Sequence, residues 1–359
     1  MRKVTAKISL KNINDNAKAF KAYTGKRLCA VVKADAYGHG AEEVAAALSG
    51  VADCFAVSLL DEATAIRAAA CGKDILIFTP PLCETDVASA AENGYILTVP
   101  DLWTARLVAR VCERRNLTAR VHLKVNTGMN RYGMNGSMLG KTCKFLRGNK
   151  RVRVEGLYSH LYEYRVQPCN AQRALFVRFQ TIFRRYFPSG ICHLSATYGS
   201  LLGEEFAFDM TRVGIGLYGY FPDGAQDISL SVKSEVALKK AMRVETLVSA
   251  NRVYAFGGAG YGAKPKLEKG TKLCVCRYGY ADGFLRKKEN GADGYSQGAN
   301  NLCMDASIRL GAQKRGKNVC VLTDAFQTAQ VIDTISYEVL CAATRRAERI
   351  YIWEDFPQK

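Results

Sequence analysis

The chain has 359 residues, 48% of them hydrophobic, which is enough for two domains and a large buried core. Its 51 lysines and arginines outnumber its 33 aspartates and glutamates, which gives a net charge of +18. Because the basic residues are spread along the chain without a nucleic-acid-binding motif, we expect a basic surface that attracts small anions, and no nucleic-acid partner.

The first two thirds of the chain alternate between short apolar runs typical of strands and segments typical of helices. The eight candidate strands are residues 28–33, 54–59, 75–79, 95–99, 119–125, 152–160, 191–195 and 209–218. The helical candidates between them include residues 42–48, 60–70, 102–115 and 171–187. This alternation predicts parallel β-α-β units, and eight such units predict a TIM (β/α)8 barrel. Strand counting alone leaves an open, doubly wound sheet as the alternative.

From about Asp223 onward the pattern changes, because strand-like segments dominate and helical stretches shorten. The strand-like segments are residues 235–248, 272–278, 302–310, 319–323 and 349–353, with glycine-rich turns at residues 257–258 and 291–298. We therefore predict a barrel over residues 11–222 and a mostly β C-terminal domain over residues 223–359. The first strand, within residues 1–10, fits either domain.

Lys33 ends the first barrel strand, directly after the apolar run of residues 28–32. A lysine at the end of a buried strand is costly unless it is paired or chemically used. Partial desolvation lowers the pKa of a lysine and makes its amine nucleophilic enough to form a Schiff base. The strand pattern alone leaves open a lysine that extends into solvent.

Four further polar residues follow or lie on later barrel strands, where TIM barrels gather their chemistry. Arg131 follows the fifth strand, His160 ends the sixth, Ser195 ends the seventh and Arg212 lies on the eighth. Each is weak evidence by itself, but together they indicate an active site at one rim of the barrel.

Glycine-flanked backbone after strands seven and eight is the usual phosphate site of such barrels. The backbone N–H groups of Gly214 and Ile215, with the hydroxyl of Ser195, could hold a phosphate dianion. A tight barrel corner is the alternative.

Residues 31–40, VVKADAYGHG, closely resemble the pyridoxal-phosphate (PLP) attachment motif of the bacterial alanine racemases, a PLP-dependent family of fold type III. Further matches follow in the family's motif order, at residues 127–133, 159–160, 211–219, 260–262, 279–283 and 303–305. The resemblance covers nearly the whole chain. It implies an amino-acid racemase with a TIM barrel, a C-terminal β domain and a homodimer whose active sites are shared between subunits.

The resemblance also assigns the reacting groups. Lys33 would carry the cofactor and act as one of two acid/base groups, while Tyr261 of the other subunit would act as the second. Arg212 would face the pyridine nitrogen of the cofactor, and His160 would link Arg212 to Tyr261. An arginine there stays charged and disfavours ring protonation, which would suppress transamination and other side reactions.

The same comparison assigns the binding groups. The cofactor phosphate would be held by Tyr37, Ser195, Gly214 and Ile215. Arg131 would contact the phenolic oxygen of the cofactor and the substrate carboxylate. The backbone N–H of Met304 from the other subunit would bind the same carboxylate. Lys124 matches a lysine that is often carbamylated and orients that arginine, and Tyr280 would line the entrance to the pocket.

Several positions depart from the family pattern. Residues 161–165, LYEYR, replace a segment of small and acidic residues, Leu194 replaces an asparagine, and Asn126 replaces an aspartate. Arg345 falls where the family has a pocket tyrosine that touches the phosphate. Arg345 could replace that phosphate contact, admit a larger or polar side chain, or point to solvent.

The sequence therefore predicts a PLP-dependent alanine racemase that supplies D-amino acids for peptidoglycan. Relatives that racemise serine also lose the pocket tyrosine, so a serine or broad-specificity racemase is the alternative. A PLP decarboxylase is disfavoured because such enzymes place a carboxylate where Arg212 stands. A non-catalytic PLP-binding protein is disfavoured because it would lack the domain that carries Tyr261 and Met304.

The thirteen cysteines are odd in number and form no Cys-x-x-Cys pair, which predicts free thiols in a reducing cytosol and no metal site. The N-terminus lacks the apolar core of a signal peptide, and no uncharged apolar run reaches about 18 residues. We expect a cytoplasmic protein without a membrane segment.

Overall fold

The structure is a computed structural model that describes residues 4–225, 227–261, 267–285 and 302–356. These residues form two compact units. The first, the barrel unit, contains residues 13–34 and 41–238; the second, the sheet unit, contains residues up to Asn12, residues 35–40 and residues from Lys239 onward. The sequence predicts a boundary between residues 222 and 223. The structure divides the chain after Leu238, because a short helix over residues 230–236 groups with the barrel unit.

The chain begins with strand β1 (Val4–Ser9) of the sheet unit and helix α1 (Leu10–Thr24). The strands of the barrel unit are β2 (Arg27–Val31), β3 (Cys54–Val57), β4 (Asp74–Ile77), β5 (Ile96–Val99), β6 (Ala119–Lys124), β7 (Val152–Tyr158), β8 (Ile191–His193) and β9 (Met210–Val213). The helices that follow α1 as far as residue 236 are α2 (Lys33–Tyr37), α3 (Ala41–Leu48), α4 (Leu60–Ile66), α5 (Glu84–Glu92), α6 (Leu102–Arg115), α7 (Gly136–Arg147), α8 (Val166–Arg184), α9 (Glu204–Ala207) and α10 (Leu230–Val236).

The eight strands pair in parallel in the order β8-β7-β6-β5-β4-β3-β2-β9. The ring closes between β8 and β9, where the N–H of Asp209 donates to the carbonyl of Cys192 and the N–H of Arg212 donates to the carbonyl of Ser195, both at 3.0 Å. The structure therefore confirms the predicted TIM barrel, and the open sheet is wrong.

The local sequence explains these elements. Every residue of β3 and β5 is buried, as expected for parallel strands that are covered on both faces. Helix α6 begins where the Asp101 carboxylate accepts the N–H of Thr104, and it ends at Asn116, whose φ of 55° is left-handed.

Seven of the eight predicted barrel strands extend too far at their carboxyl ends, and the strand predicted over residues 95–99 ends correctly at Val99. The predicted strand over residues 209–218 ends at Val213, and residues Ile215–Tyr218 form a 3-10 turn. An apolar run that is buried throughout carries no period by which a strand can be told from a tight turn.

The sheet unit contains β1 and strands β10 (Met242–Val253), β11 (Lys272–Cys276), β12 (Ser307–Leu310), β13 (Asn318–Leu322) and β14 (Glu348–Ile352), with helices α11 (Ala325–Ile332) and α12 (Ser336–Ala343). The sheet order is β12-β11-β10-β1-β14, and β13 also pairs with β10. Strand β1 runs antiparallel to β10 and parallel to β14, which places the N-terminal strand in this unit.

Two predicted strands of this unit begin too early. The predicted strand over residues 235–248 begins at Met242, because its first residues belong to helix α10, which Ser229 caps. The predicted strand over residues 302–310 begins at Ser307. The glycine-rich turn predicted at residues 291–298 lies outside the described residues. Within the described part of the chain, no helix has the length and apolar character needed to cross a bilayer.

Candidate active site

The residues predicted for the barrel rim do lie at the carboxyl ends of its strands. Lys33 is the second residue after β2, His160 the second after β7 and Ser195 the second after β8. Arg131 lies in the loop between β6 and α7, and Arg212 lies within β9. Strand order thus brings the five predicted positions to one end of the barrel.

Lys33 opens a helical turn of unusual hand. Ala34, Asp35, Ala36 and Tyr37 have φ values between 51° and 55°, so α2 is a left-handed turn. Left-handed backbone costs an L-residue about 1–2 kcal/mol per position. The turn is closed by the N–H of Gly40, which donates to the carbonyl of Asp35 at 2.9 Å. Strain of this kind persists where the surrounding structure holds it, and it is concentrated at functional sites.

Glu62, near the start of α4, anchors the chain at the beginning of this turn. Its carboxylate accepts the N–H of Ala34 at 2.6 Å and the N–H groups of Ser58 and Leu59 at 2.7 and 3.0 Å. The backbone directly after Lys33 is therefore fixed to the neighbouring strand–helix connection. Glu62 was not predicted, although a glutamate in the first turn of a helix is a recognisable capping signal.

Arg212 is buried inside the barrel, and its hydrogen bonds to the described residues all go to neutral acceptors. Its guanidinium donates to the carbonyls of Ser159 at 2.7 Å and Leu194 at 2.8 Å, and to the Nδ1 of His193 at 2.7 Å. Burial lowers the pKa of Arg212 to about 10, which still leaves it charged at pH 7. The predicted contact with His160 is present, at 3.4 Å to its Nδ1.

A pair of histidines continues from Arg212 into the barrel. The Nε2 of His193 lies 3.0 Å from the Nδ1 of His122, and the ring of Tyr158 stacks on His193 at 4.9 Å. Burial, and then the charge of Arg212, lowers the pKa of His193 well below its usual value. Burial lowers the pKa of His122 to about 3. Both rings are therefore neutral at pH 7.

The pair of His122 and His193 was not predicted. His122 stands two residues before Lys124 on β6, so the alternation of a strand places both side chains on the same face. That spacing was the feature of the sequence from which His122 could have been predicted.

The pKa of His160 is lowered, as are those of His122 and His193. Burial, followed by the positive charges of Arg212, Lys124, Arg131 and Lys33, lowers the pKa of His160 well below its usual value. A neutral His160 can accept a hydrogen bond from Arg212 at one ring nitrogen and donate from the other.

Lys124 is buried at the end of β6, with its Nζ 4.3 Å from the centre of the Tyr158 ring. Burial lowers the pKa of Lys124 well below its usual value, and the charges of Arg212 and Arg131 lower it further. The shift favours a neutral amine, which is the form that reacts with carbon dioxide to give a carbamate. A carbamate would place a negative charge near both arginines.

The loop that carries Arg131 is shaped by Asn126. Its Oδ1 accepts the N–H groups of Gly128 and Asn130 at 3.0 and 3.1 Å, and its Nδ2 donates to the Oδ1 of Asn130 at 2.7 Å. Asn130 has a left-handed φ of 55°. An aspartate at position 126 could accept the two backbone bonds but could not donate the third. Asn126, which replaces the aspartate of the family, thus forms all three of these hydrogen bonds within the loop.

The unusual segment of residues 161–165 packs against two rim loops. A Cβ on Gly128 would lie 2.8 Å from the ring of Tyr162, and a Cβ on Gly199 would lie 2.8 Å from the side chain of Leu161. Tyr164 meets Tyr198 edge to face at 5.4 Å. The segment therefore covers the loop of Arg131 and the loop that follows Ser195.

The predicted phosphate site contains acceptors as well as donors. The Ser195 hydroxyl donates to the carbonyl of Phe206 at 2.7 Å, and Thr197 Oγ1 accepts the N–H groups of Gly214 and Gly216 at 3.3 Å each. A Cβ on Gly199 would lie 2.5 Å from Ser195 Oγ, so glycine leaves that hydroxyl its space. Thr197 was not predicted, and a bound phosphate would compete with it for the N–H of Gly214.

Five predicted residues belong to the sheet unit, namely Tyr37, Tyr261, Tyr280, Met304 and Arg345. Tyr37 is buried there, with its ring 5.9 Å from that of Tyr337. Tyr261 and Met304 are largely exposed, at 65% and 52%. Tyr280 opens a 3-10 turn and its N–H donates to the carbonyl of Cys303 at 3.0 Å, which joins the 279–283 and 303–305 motifs.

Arg345 follows helix α12 and is exposed. Its neighbour Arg346 pairs with Asp305 at 2.8 Å and Asp282 at 3.6 Å. Arg345 itself makes no ion pair with any described residue. Its guanidinium therefore remains available for an anionic group.

Comparison with known proteins agrees with this geometry. Residues 8–222 match the family model "Alanine racemase, N-terminal domain", and residues 241–351 match "Alanine racemase, C-terminal domain". The alanine racemase of Lactobacillus gasseri is 30% identical over 357 residues, covering 92% of both chains.

Two solved structures resemble the chain closely. The alanine racemase of Clostridium difficile has a TM-score of 0.86 at 26% identity and covers 97% of this chain and 95% of its own. The alanine racemase of Bartonella henselae, solved with covalently bound pyridoxal phosphate, has a TM-score of 0.84 at 24% identity and covers 97% and 99%, a likeness that shows the fold.

Lys124 provides a test of the site's electrostatics. We predict that ¹³C-labelled carbon dioxide gives one carbamate resonance at pH 7 in the wild-type protein, and that this resonance disappears in Lys124→Met. Acidification should weaken it, because protonation removes the reactive amine. An identical resonance in Lys124→Met would contradict the assignment, since the surface lysines are common to both proteins.

Proposed function

We propose, because the chain belongs to the alanine racemase family, that it interconverts L- and D-alanine with PLP as its cofactor. The observation that carries the proposal is the environment of Arg212. Its guanidinium is permanently charged, its hydrogen bonds to described residues all go to neutral acceptors, and it would face the pyridine nitrogen of the cofactor.

The side chains present fit PLP. Arg212 can donate to a neutral pyridine nitrogen but cannot accept a proton from it. Lys33 offers an amine at the end of a barrel strand for attachment of the cofactor. Ser195, Gly214 and Ile215 would hold the phosphate at the loops after the last two strands, where TIM barrels bind phosphate.

PLP, when bound, acidifies the α-carbon of an amino acid by drawing its electrons into the ring. The residues of this chain then move the proton. Racemisation needs one group on each face of the α-carbon, and we assign Lys33 to one face and Tyr261 to the other. Arg131 and the backbone N–H of Met304 would hold the substrate carboxylate.

Arg212 would restrict this chemistry to proton transfer. Its charge disfavours a proton on the ring nitrogen and so limits the electron-withdrawing power of the ring. Transamination and decarboxylation depend on that electron-withdrawing power. A carboxylate at this position would support both reactions, but the chain has Arg212 there. His160, which is neutral, would relay the influence of Arg212 to the hydroxyl of Tyr261.

Tyr261 and Met304 would act across a homodimer. Both are largely exposed in the single chain, as expected of residues that complete the site of a neighbouring subunit. All thirteen cysteines are free, which supports placement of the enzyme in the cytoplasm, where it would supply D-alanine for peptidoglycan.

The assignment of the two acid/base groups can be tested directly. Borohydride should fix PLP to Lys33, and Lys33→Ala should lose both this product and racemase activity, because no other amine can replace it. Tyr261→Phe should slow deuterium incorporation in D₂O from one alanine enantiomer more than from the other, because only one face loses its proton carrier.

Tyr186→Phe, a tyrosine outside the proposed site, is the matched control and should behave as wild type. The mechanism is wrong if Lys33→Ala retains activity. Equal and negligible effects of Tyr261→Phe on both enantiomers would remove Tyr261 from its role.

Arg345 favours a second candidate, a racemase of serine or of several amino acids. Its exposed guanidinium stands where the family has a pocket tyrosine, and no ion pair with a described residue occupies it. A polar substrate side chain could therefore be accommodated beside it.

We predict that wild type racemises serine as well as alanine, and that Arg345→Tyr lowers the serine-to-alanine ratio of kcat/KM by about tenfold or more, because the pocket loses a charged donor. Arg315→Tyr, an exposed arginine of the same unit, should leave the ratio unchanged. Strict alanine preference in the wild type, measured on a panel of L-amino acids, would sink the second candidate.

A further inference from the structure

We propose that Arg349 is a positioning residue for the cofactor, because it clamps the left-handed turn of residues 35–40 and so fixes Tyr37. The inference rests on the proposed function, in which Lys33 and Tyr37 hold PLP. Residues 35–40 and Arg349 belong to the same unit of the structure.

Four contacts make the clamp. Arg349 Nη2 lies 2.5 Å from the carboxylate of Asp35, and Arg349 Nε donates to the carbonyl of Gly38 at 3.1 Å. The Thr344 hydroxyl donates to the same carbonyl at 2.9 Å and accepts from Arg349 Nη2 at 3.3 Å. The guanidinium therefore binds the turn at two points, the side chain of Asp35 and the backbone carbonyl of Gly38.

Arg349 can act as a fixed point because it stands on a strand. It belongs to β14 and lies opposite Ala6 of β1 in the sheet. Helix α12 supports the turn from a second direction, since a Cβ on Gly38 would lie 2.5 Å from the carbonyl of Leu340. With its φ of 83°, Gly38 is the residue that permits this approach.

The turn needs such support because its own backbone does not favour it. Four consecutive non-glycine residues are left-handed, and the internal bonds of the turn, among them those from Gly40 to Asp35 and from His39 to Ala36, must offset that cost. Release of Asp35 and Gly38 would let the turn relax toward right-handed backbone. Tyr37 would then move, because it is the last of these four residues.

Loss of the clamp should therefore weaken cofactor binding. Groups that bind a phosphate must be held close to one geometry, and a small displacement costs much of their effect. The amides of His39 and Gly40 should also exchange with solvent more readily, because their bonds exist only while the turn is closed.

The experiment compares Arg349→Met and Arg349→Lys with wild type. Hydrogen exchange at His39 and Gly40 reports the turn, and spectrophotometric titration of PLP-depleted protein with PLP reports cofactor affinity. In Arg349→Met we expect exchange to rise and PLP affinity to fall, each by about tenfold, because two charge-assisted bonds are lost. Arg349→Lys, which keeps a charge for Asp35 without the fork, should lie between.

Lys7→Met is the matched control, since it removes an ion pair with Glu245, at 3.0 Å, from the same sheet without touching the turn. Unchanged exchange or unchanged PLP affinity in Arg349→Met would overturn the proposal. If that variant does not fold, Thr344→Val, which removes the shared hydroxyl, carries the same two expectations at smaller size. Failure of the wild type to bind PLP would overturn the proposed function and not the clamp, which the exchange data decide.

Discussion

The buried positive charge of Arg212, which pairs with no carboxylate among the described residues, governs the electrostatics of the barrel interior. Arg212 is held by two carbonyls and by His193, and a charge removed from water persists only where such hydrogen bonds replace its hydration. The same charge, with burial, keeps His193 and His160 neutral and contributes to the lowered pKa of Lys124. Neutral histidines around the permanent charge of Arg212 suit a reaction in which protons are carried to and from a carbon while the ring nitrogen stays unprotonated.

The left-handed turn that follows Lys33 meets a different requirement, the correct position of its side chains. Barrel strands bring side chains to one rim, but a side chain after the last paired residue needs its own support. Here the N–H of Ala34 is tied to Glu62, and residues 35–40, which include Tyr37, are held by Arg349. The strain of a left-handed turn is thus balanced by charged hydrogen bonds on both sides of it.

Much of this could be predicted from the sequence, because buried parallel strands and their polar termini leave a local pattern. All eight barrel strands and the rim positions from Lys33 to Arg212 follow from it. The left-handed turn does not, since none of residues 34–37 is glycine and hand is imposed by distant groups such as Arg349. His122 and His193 were not predicted, and the structure shows that His193 bonds to Arg212 and His122 to His193. The replacement of the family aspartate by Asn126 is accommodated through its bond to Asn130.

The histidine tautomers test the central claim most directly, because Arg212 can only donate. It requires an unprotonated Nδ1 on His193, whose Nε2–H must then donate to the Nδ1 of His122. His39, whose Nδ1 faces two carbonyls at 3.0 and 3.1 Å, must carry its proton there instead. ¹⁵N NMR of the protein labelled at its four histidines should show His122 and His193 as neutral Nε2–H tautomers at pH 7, and His39 as Nδ1–H. A charged ring or an Nδ1–H tautomer at His193 would contradict the account.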